Sequence, residues 1–384
     1  MLDSAPMATL PVAPDDPRAV LKLARENRRA AVEALRATPV EDQVALVCNA
    51  PRAARGELLD LLPEPERVIP LLPEAELCFT VKAIGLADSA WVLEHATPEQ
   101  VTAAIDLDAW NRLEPDLPAL SDWIGALAAT ERDAFKRAIE ALDPELLVLY
   151  LKSRIEVFQK PTGDDDWQPP EGQTLEGAFY YRAKNDGDDL ASIGELLRML
   201  FEDDYWTYFR VMQGVIWELE GDTQEWALRW RSGRLEDLGF PSWDESMHIY
   251  KFIRPEDRGR IPPDEHPLAS NPWSLPVWIP SLPAAAGRPH RIFDAIAKLS
   301  EEERRACFYA FVALANKVAV ADAMPLSDST SIPRALDKAA YWSSEGLAKV
   351  AGENGLDDVE VLRRVSLDRL FSVGANLDPE RARS

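Results

Sequence analysis

Histidine and cysteine are scarce, at four and three among 384 residues. Cys48, Cys78 and Cys307 lie far apart, with no Cys-x-x-Cys or Cys/His ligand spacing, which argues against a zinc site of the usual kind. Their odd, unpatterned number suits a reducing cytoplasm. His95, His248, His266 and His290 form no pair at ligand spacing, and each reads as structural or exposed. There is no Gly-x-Ser-x-Gly, no Gly-x-Gly-x-x-Gly and no phosphate loop ending in Gly-Lys-Ser/Thr, which removes the common hydrolase, dinucleotide and nucleotide-hydrolysing classes. No catalytic residue and no cofactor are assigned, and the reading leans away from an enzyme. Long hydrophobic runs are also missing. The most apolar stretch, 306–321, is interrupted by Asn316 and Lys317 and is too short for a bilayer. It reads as a buried helix, and no membrane insertion is expected. Residues 1–16 lack a basic segment followed by an apolar core, so they read as a flexible tail.

Positive charge is the other deficit. Lys and Arg number 42 against 66 Asp and Glu, for a net charge of -24. Such a surface repels nucleic-acid phosphate and anionic lipid. It suits plain solubility, divalent cations or a basic protein partner. Apolar residues make up 46%, ample for real cores in two or three domains.

What is present is helix punctuation. Asp16-Pro17 reads as a cap followed by Pro at the first helical position. Thr38-Pro39-Val40-Glu41 and Thr97-Pro98-Glu99-Gln100 read as capping boxes, and Asp143-Pro144-Glu145 as a further start. Short leucine-rich helices between these signals predict an irregular, superhelical repeat over residues 17–160. Pro161, Gly163, Asp164, Asp165, Asp166, Pro169 and Pro170 crowd the stretch 161–173, which reads as an acidic linker or loop. Leu175 to Arg182 reads as briefly extended. A helical C-terminal domain is expected over 174–384. It includes helices at about 188–201, 204–219, 223–238 and 242–252, and a proline-rich extended tract at 255–289. Beyond that tract come a Ser300/Glu303 capping box, a nearly apolar helix to Ala321, two more helices at 332–351 and 357–371, and a frayed end. The expected fold class is mainly α.

Two features could carry chemistry. Asp186, Asp188 and Asp189 flank Gly187 on a loop, the setting a hard cation favours. The calcium-loop pattern fails, because Arg182, Lys184 and Ile193 fall where acidic ligands belong. The first reading is therefore a solvated loop and helix start, with metal binding as the sharper alternative. The second feature is the aromatic run from Phe201 to Trp230, with Arg229, Arg231 and Arg234 beside its end. Helical spacing makes these core aromatics first. The sharper reading is a groove for a ligand or partner formed by Trp206, Trp226, Arg229, Trp230, Arg234 and Trp243.

Leu61-Leu62-Pro63-Glu64, Leu71-Leu72-Pro73-Glu74 and Ala96-Thr97-Pro98-Glu99-Gln100 resemble the intracellular N-terminal helical domain of bacterial magnesium transporters. They also resemble superhelical repeats in flagellar-motor switch proteins. Gly233-Arg234-Leu235-Glu236-Asp237-Leu238-Gly239-Phe240-Pro241, leading into Ile249-Tyr250 and Pro255, resembles an uncharacterised bacterial domain-of-unknown-function family that joins such a repeat to a downstream helical domain. The transporters' regulatory domains and pore have no counterpart in this sequence, so the resemblance implies a fold class and a habit of docking, not transport. The functional expectation is a cytoplasmic, non-enzymatic adaptor or regulatory protein that binds another protein. The alternatives are a divalent-cation-responsive regulator using the acidic loops, or an enzyme of unrecognised type.

Overall fold

The computed structural model describes residues 16–163, 166–185, 190–261, 290–328 and 330–383. The protein is mainly α, with two two-stranded sheets among the described residues. It divides into two compact units. One runs up to Ala104 and includes Ser121–Leu142, and the other takes Ile105–Leu120 and the chain from Asp143 onward.

The first unit holds α1 (Pro17–Glu26), α2 (Arg28–Arg36), α3 (Val40–Asn49), α4 (Arg52–Leu59), α5 (Pro65–Val68), α6 (Glu74–Ile84) and α7 (Ala90–Leu93). It also holds most of α8 (Pro98–Asp108), most of α9 (Leu117–Ala128) and α10 (Arg132–Ala141). Asp16 caps α1, accepting from the Arg18 N–H at 3.0 Å. The Thr97/Gln100 box forms reciprocally at 2.9 and 3.1 Å, and the Gln100 amide also donates to the carbonyls of Ile69 and Leu72. The expected Thr38/Glu41 box does not form. Pro39 itself is the N-cap of α3, which leaves Thr38 one residue too early, and its hydroxyl donates back to the Ala34 carbonyl at 2.9 Å. The Gln43 amide instead donates to the Leu35 and Thr38 carbonyls, satisfying groups that the end of α2 leaves open. At the unit's centre Arg55 and Glu76 form a buried ion pair at 2.6 Å. Arg55 also donates to the Cys48 carbonyl and the Thr80 hydroxyl, so the buried charge is compensated on several sides.

In the second unit β1 (Trp110–Asn111) and β2 (Glu114–Pro115) form a hairpin in which Trp110 opposes Pro115. The buried residues Leu146 to Leu151 make α11 (Pro144–Arg154) central. Asp143 is its N-cap but makes no capping hydrogen bond, because Arg234 takes its carboxylate. β3 (Ile155–Gln159) pairs antiparallel with β4 (Phe179–Ala183), Ile155 opposite Ala183, so the brief extended segment read near 175–182 is a strand with a partner upstream. Next come α12 (Leu190–Asp203), α13 (Tyr205–Trp217), α14 (Glu220–Asp237) and α15 (Trp243–Met247). Both α13 and α14 pack on α11, and a Cβ added at Gly214 would meet Val148 at 2.6 Å.

The unit continues with α16 (Arg291–Ile296), α17 (Glu301–Ala321), α18 (Ser331–Asn354), α19 (Asp358–Leu362), α20 (Leu367–Ala375) and α21 (Pro379–Arg383). The capping box at Ser300 and Glu303 is present. The single helix expected over 357–371 is two, because Asp357 and Ser366 each cap a separate start. The end is not frayed: α21 tucks the Ala382 side chain into the core. The closest packing is α18 on α20. There an added Cβ at Gly346 would lie 1.8 Å from the Leu370 carbonyl oxygen, and one at Gly374 would lie 2.0 Å from that of Trp342. Most of the proline-rich tract at 255–289 lies outside the described residues, as do Asp164, Asp165, Asp186, Asp188 and Asp189.

Candidate functional site

The second unit contains a cleft of about 1460 Å³. It is built by the β1–β2 hairpin, the segment from Arg231 to Tyr250, His290 before α16, and residues of α17, α18 and α21 with the turn after α17. Buried Trp110, Leu235, Phe240, Tyr250 and Trp342 form its floor, and exposed Arg112, Leu113, Trp243 and Arg334 lie at its edge.

A network of arginines on α14 holds the hairpin side. Arg234 grips both oxygens of buried Asp106 at 2.6 and 2.9 Å and both of Asp143 at 2.9 and 2.7 Å. Burial opposes the Arg234 charge, but these hydrogen bonds outweigh it and hold its pKa above the ordinary value. Burial pushes the Asp106 carboxyl up, while Arg234 and Arg231 pull the other way. One turn before Arg234, Arg231 donates to the carbonyls of Asp106 at 2.8 Å and Arg112 at 3.2 Å and lies over the Trp110 ring at 4.8 Å. Among the described residues it donates to no carboxylate. Burial lowers its pKa to about 10, with Asp106 raising it and Arg234 lowering it further. The Trp110 indole N–H is buried without a hydrogen-bond partner among the described residues.

On the opposite wall Asp322 accepts from the Tyr250 hydroxyl at 2.8 Å and from Lys338 at 2.7 Å. His290 meets Asp337 at 3.2 Å, and Arg381 lies over the Tyr341 ring at 4.9 Å. Among the described residues the cleft's lining includes five Lys and Arg against two Asp, in a chain whose overall balance is 42 against 66. Both of its carboxylates are already engaged. Two non-glycine residues have left-handed backbone among the described residues, Arg112 at φ 59° and Ala323 at φ 50°, and both line this cleft. Strain of this kind concentrates at functional positions.

The six aromatic and arginine candidates do not share one groove. Trp243 lines the cleft. Arg234 is the clasp of the buried network behind it. Trp226 and Trp230 stand on exposed positions of α14, with Arg229 over the Trp226 ring at 5.2 Å. Trp206 stands on α13. The reading of this run as core holds for Tyr208, which is fully buried, but not for its tryptophans. Exposure is 78% at Trp206, 69% at Trp217, 49% at Trp226 and 51% at Trp230. The buried stripes of α13 and α14 are instead Tyr208, Val211, Met212 and Val215, and Ala227, Arg231 and Leu235. Sequence reasoning missed Trp110, Arg112, Arg334 and Lys338. They come from a hairpin without a turn motif and from a helix more than 200 residues downstream, so no local pattern joins them.

No group of three or more His, Cys, Asp or Glu among the described residues is arranged to hold a metal. No helix among them is long and apolar enough to cross a membrane. The three cysteines are buried and form no disulfide among the described residues. Burial pushes the thiols of Cys48 and Cys307 up to about 12, which makes both poor nucleophiles. A family model described as a family of unknown function (DUF6178) matches residues 33–379. No curated protein and no solved structure matches.

Proposed function

The chain belongs to this family of unknown function, and from its geometry we propose that it is a cytoplasmic, non-enzymatic helical adaptor that docks a protein partner on α13 and α14. The observation that carries the reading is the exposure of four tryptophans on these two consecutive helices. Trp206 and Trp217 are eleven residues apart, so they point within about 20° of each other on α13. Trp226 and Trp230, four apart, share a face of α14. Large exposed aromatics mark interaction surfaces, and Trp is enriched among residues that dominate binding energy. Exposed acids accompany them: Glu202 and Asp203 before Trp206, and Glu220, Asp222 and Glu225 before Trp226. An amphipathic segment that interleaves Lys or Arg with apolar residues complements such a surface.

The test compares capture from the native host by the tagged wild-type chain and by Trp206→Ser/Trp217→Ser/Trp226→Ser/Trp230→Ser. These side chains are not in the core, so the variant is expected to keep the wild-type circular dichroism and melting temperature. A partner recovered in near-equal amount with wild type and lost with the variant supports the reading. Identical capture by the two proteins overturns it.

A further inference from the structure

The cleft of the second unit has features that protein docking on α13 and α14 leaves unexplained. Its charge is inverted relative to the chain. The two acidic side chains that line it among the described residues are spoken for, Asp322 by Tyr250 and Lys338 and Asp337 by His290. Arg112 and Arg334 stand at the edge without an ion pair among the described residues. Arg231 lies buried in the floor, hydrogen-bonded among the described residues to carbonyl oxygens alone and stacked on Trp110. The carboxylate that favours its charge, Asp106, is hydrogen-bonded by Arg234 instead; desolvating a cation so incompletely compensated is costly, and an anion entering the cleft would offset that cost. The same lining carries flat aromatic surfaces: the Trp110 ring and the Tyr250 ring, the latter with Lys338 over it at 5.7 Å, in the floor, Tyr341 under Arg381, and Trp243 at the mouth. Apolar walls with a few convergent polar groups are the usual make-up of a small-molecule site.

The strained backbone points the same way. At Ala323 the amides of Ala323 and Met324 close the end of α17 onto the Val320 and Ala319 carbonyls, a turn in which the left-handed position ordinarily carries glycine. Arg112 takes the same backbone region at the hairpin tip. Its carbonyl accepts from Arg231, so the strained turn is fixed to the buried cation.

We propose that this cleft binds a small organic anion bearing a flat ring, a nucleoside phosphate or an aromatic carboxylate, with the ring against Trp110, Tyr250 and Trp243 and the anionic group toward Arg112, Arg231 and Arg334. The site belongs wholly to the second unit and is separate from the tryptophan surface.

Titration calorimetry and tryptophan fluorescence on the full chain test this. The probes are metal-free AMP and ATP for the phosphate arm, and indole-3-acetate and 4-hydroxybenzoate for the carboxylate arm. Adenosine and inorganic phosphate are the half-ligands. The expected result is micromolar binding in one arm, with both half-ligands weaker by about tenfold or more. Arg112→Gln/Arg334→Gln should bind that probe about tenfold more weakly while melting at the wild-type temperature, since losing a charge-assisted hydrogen bond is worth at least that factor. If the double variant melts early, Trp243→Ser, at an exposed edge position, serves instead and should show the same weakening with a reduced fluorescence response. Absence of binding by every anionic aromatic probe at millimolar concentration overturns the proposal. So does equal binding of adenosine or phosphate, or an unchanged affinity in the folded variant.

Discussion

Ala323 occupies the position after the α17 C-terminus where a side chain is least welcome. At φ 50° an L-residue pays roughly 1–2 kcal/mol for the left-handed conformation, and glycine gives back part of that gain through its greater freedom in the unfolded chain. Ala323→Gly is therefore expected to raise the unfolding free energy by about 0.5–1 kcal/mol, read as a higher urea midpoint at unchanged slope. An equal or lower midpoint would show that the Ala323 methyl contributes packing that outweighs the backbone cost. Arg234 shows the opposite economy. Four of its five N–H donors go to Asp106 and Asp143, which makes it the anchor that presents Arg231 one turn earlier.

Among the elements, α18 and α20 are joined by backbone contact more than by side chains. A methyl at residue 346 would sit 1.8 Å from the Leu370 carbonyl oxygen, which no rotamer relieves, so the helices must separate. Gly346→Ala is expected to destabilise by about 2–3 kcal/mol, with a lowered melting temperature in calorimetry; a wild-type melting temperature would mean that the crossing is wider than described. The start of α17 carries a pH signature. Glu303 closes the capping box with Ser300 and takes Arg363 from the end of α19 at 2.8 Å. Arg363 first, and Ser300 next, hold its carboxyl down from 4.5 to about 2. A carboxyl whose pKa falls on folding contributes stability above its unfolded value, and loses that contribution as the pH drops from about 4.5 through about 2. Glu303→Gln should thus differ from wild type by a constant amount above pH 5, with the gap closing through that acidic window. A gap that persists to pH 2 in acid titrations followed by circular dichroism would assign the effect to lost packing instead.

At the scale of the whole molecule, net charge sets a different salt dependence for each of the two proposed sites. The tryptophan surface lies among acids, so its basic partner should be released as salt rises. The cleft attracts an anion against the field of a chain carrying -24, so added salt screens long-range repulsion as well as local attraction. Its affinity should therefore fall less steeply than the partner's. Salt titration of the two binding events, measured on the same protein, separates them.

Much of the fold was legible because its signals are local. Proline at first helical positions, the Thr97/Gln100 and Ser300/Glu303 boxes and the 3.6-residue apolar periodicity each depend on residues within one turn. They placed most helices and the mainly α class correctly. The Thr38 box failed because the motif does not say whether Thr38 or Pro39 becomes the cap, and the strand at Ile155–Gln159 was missed because its partner lies beyond the 161–173 stretch. At the candidate site, Trp243 and Arg231 were noticed in the sequence for their neighbours alone. The cleft joins them to Trp110, Arg112, Arg334 and Lys338, residues brought together only when α14 packs beside the hairpin and α18 faces it. The same packing decides which aromatics are core. Tyr208 and the tryptophans share one sequence pattern, but α11 can cover only one face of α13 and of α14, and the tryptophans are on the others. Sequence alone determined the helical class, the acidic surface and the absence of common catalytic motifs, since these follow from composition and short-range backbone chemistry. Tertiary structure decided where positive charge gathers and which rings stay exposed, because both depend on which faces long-range packing removes from water.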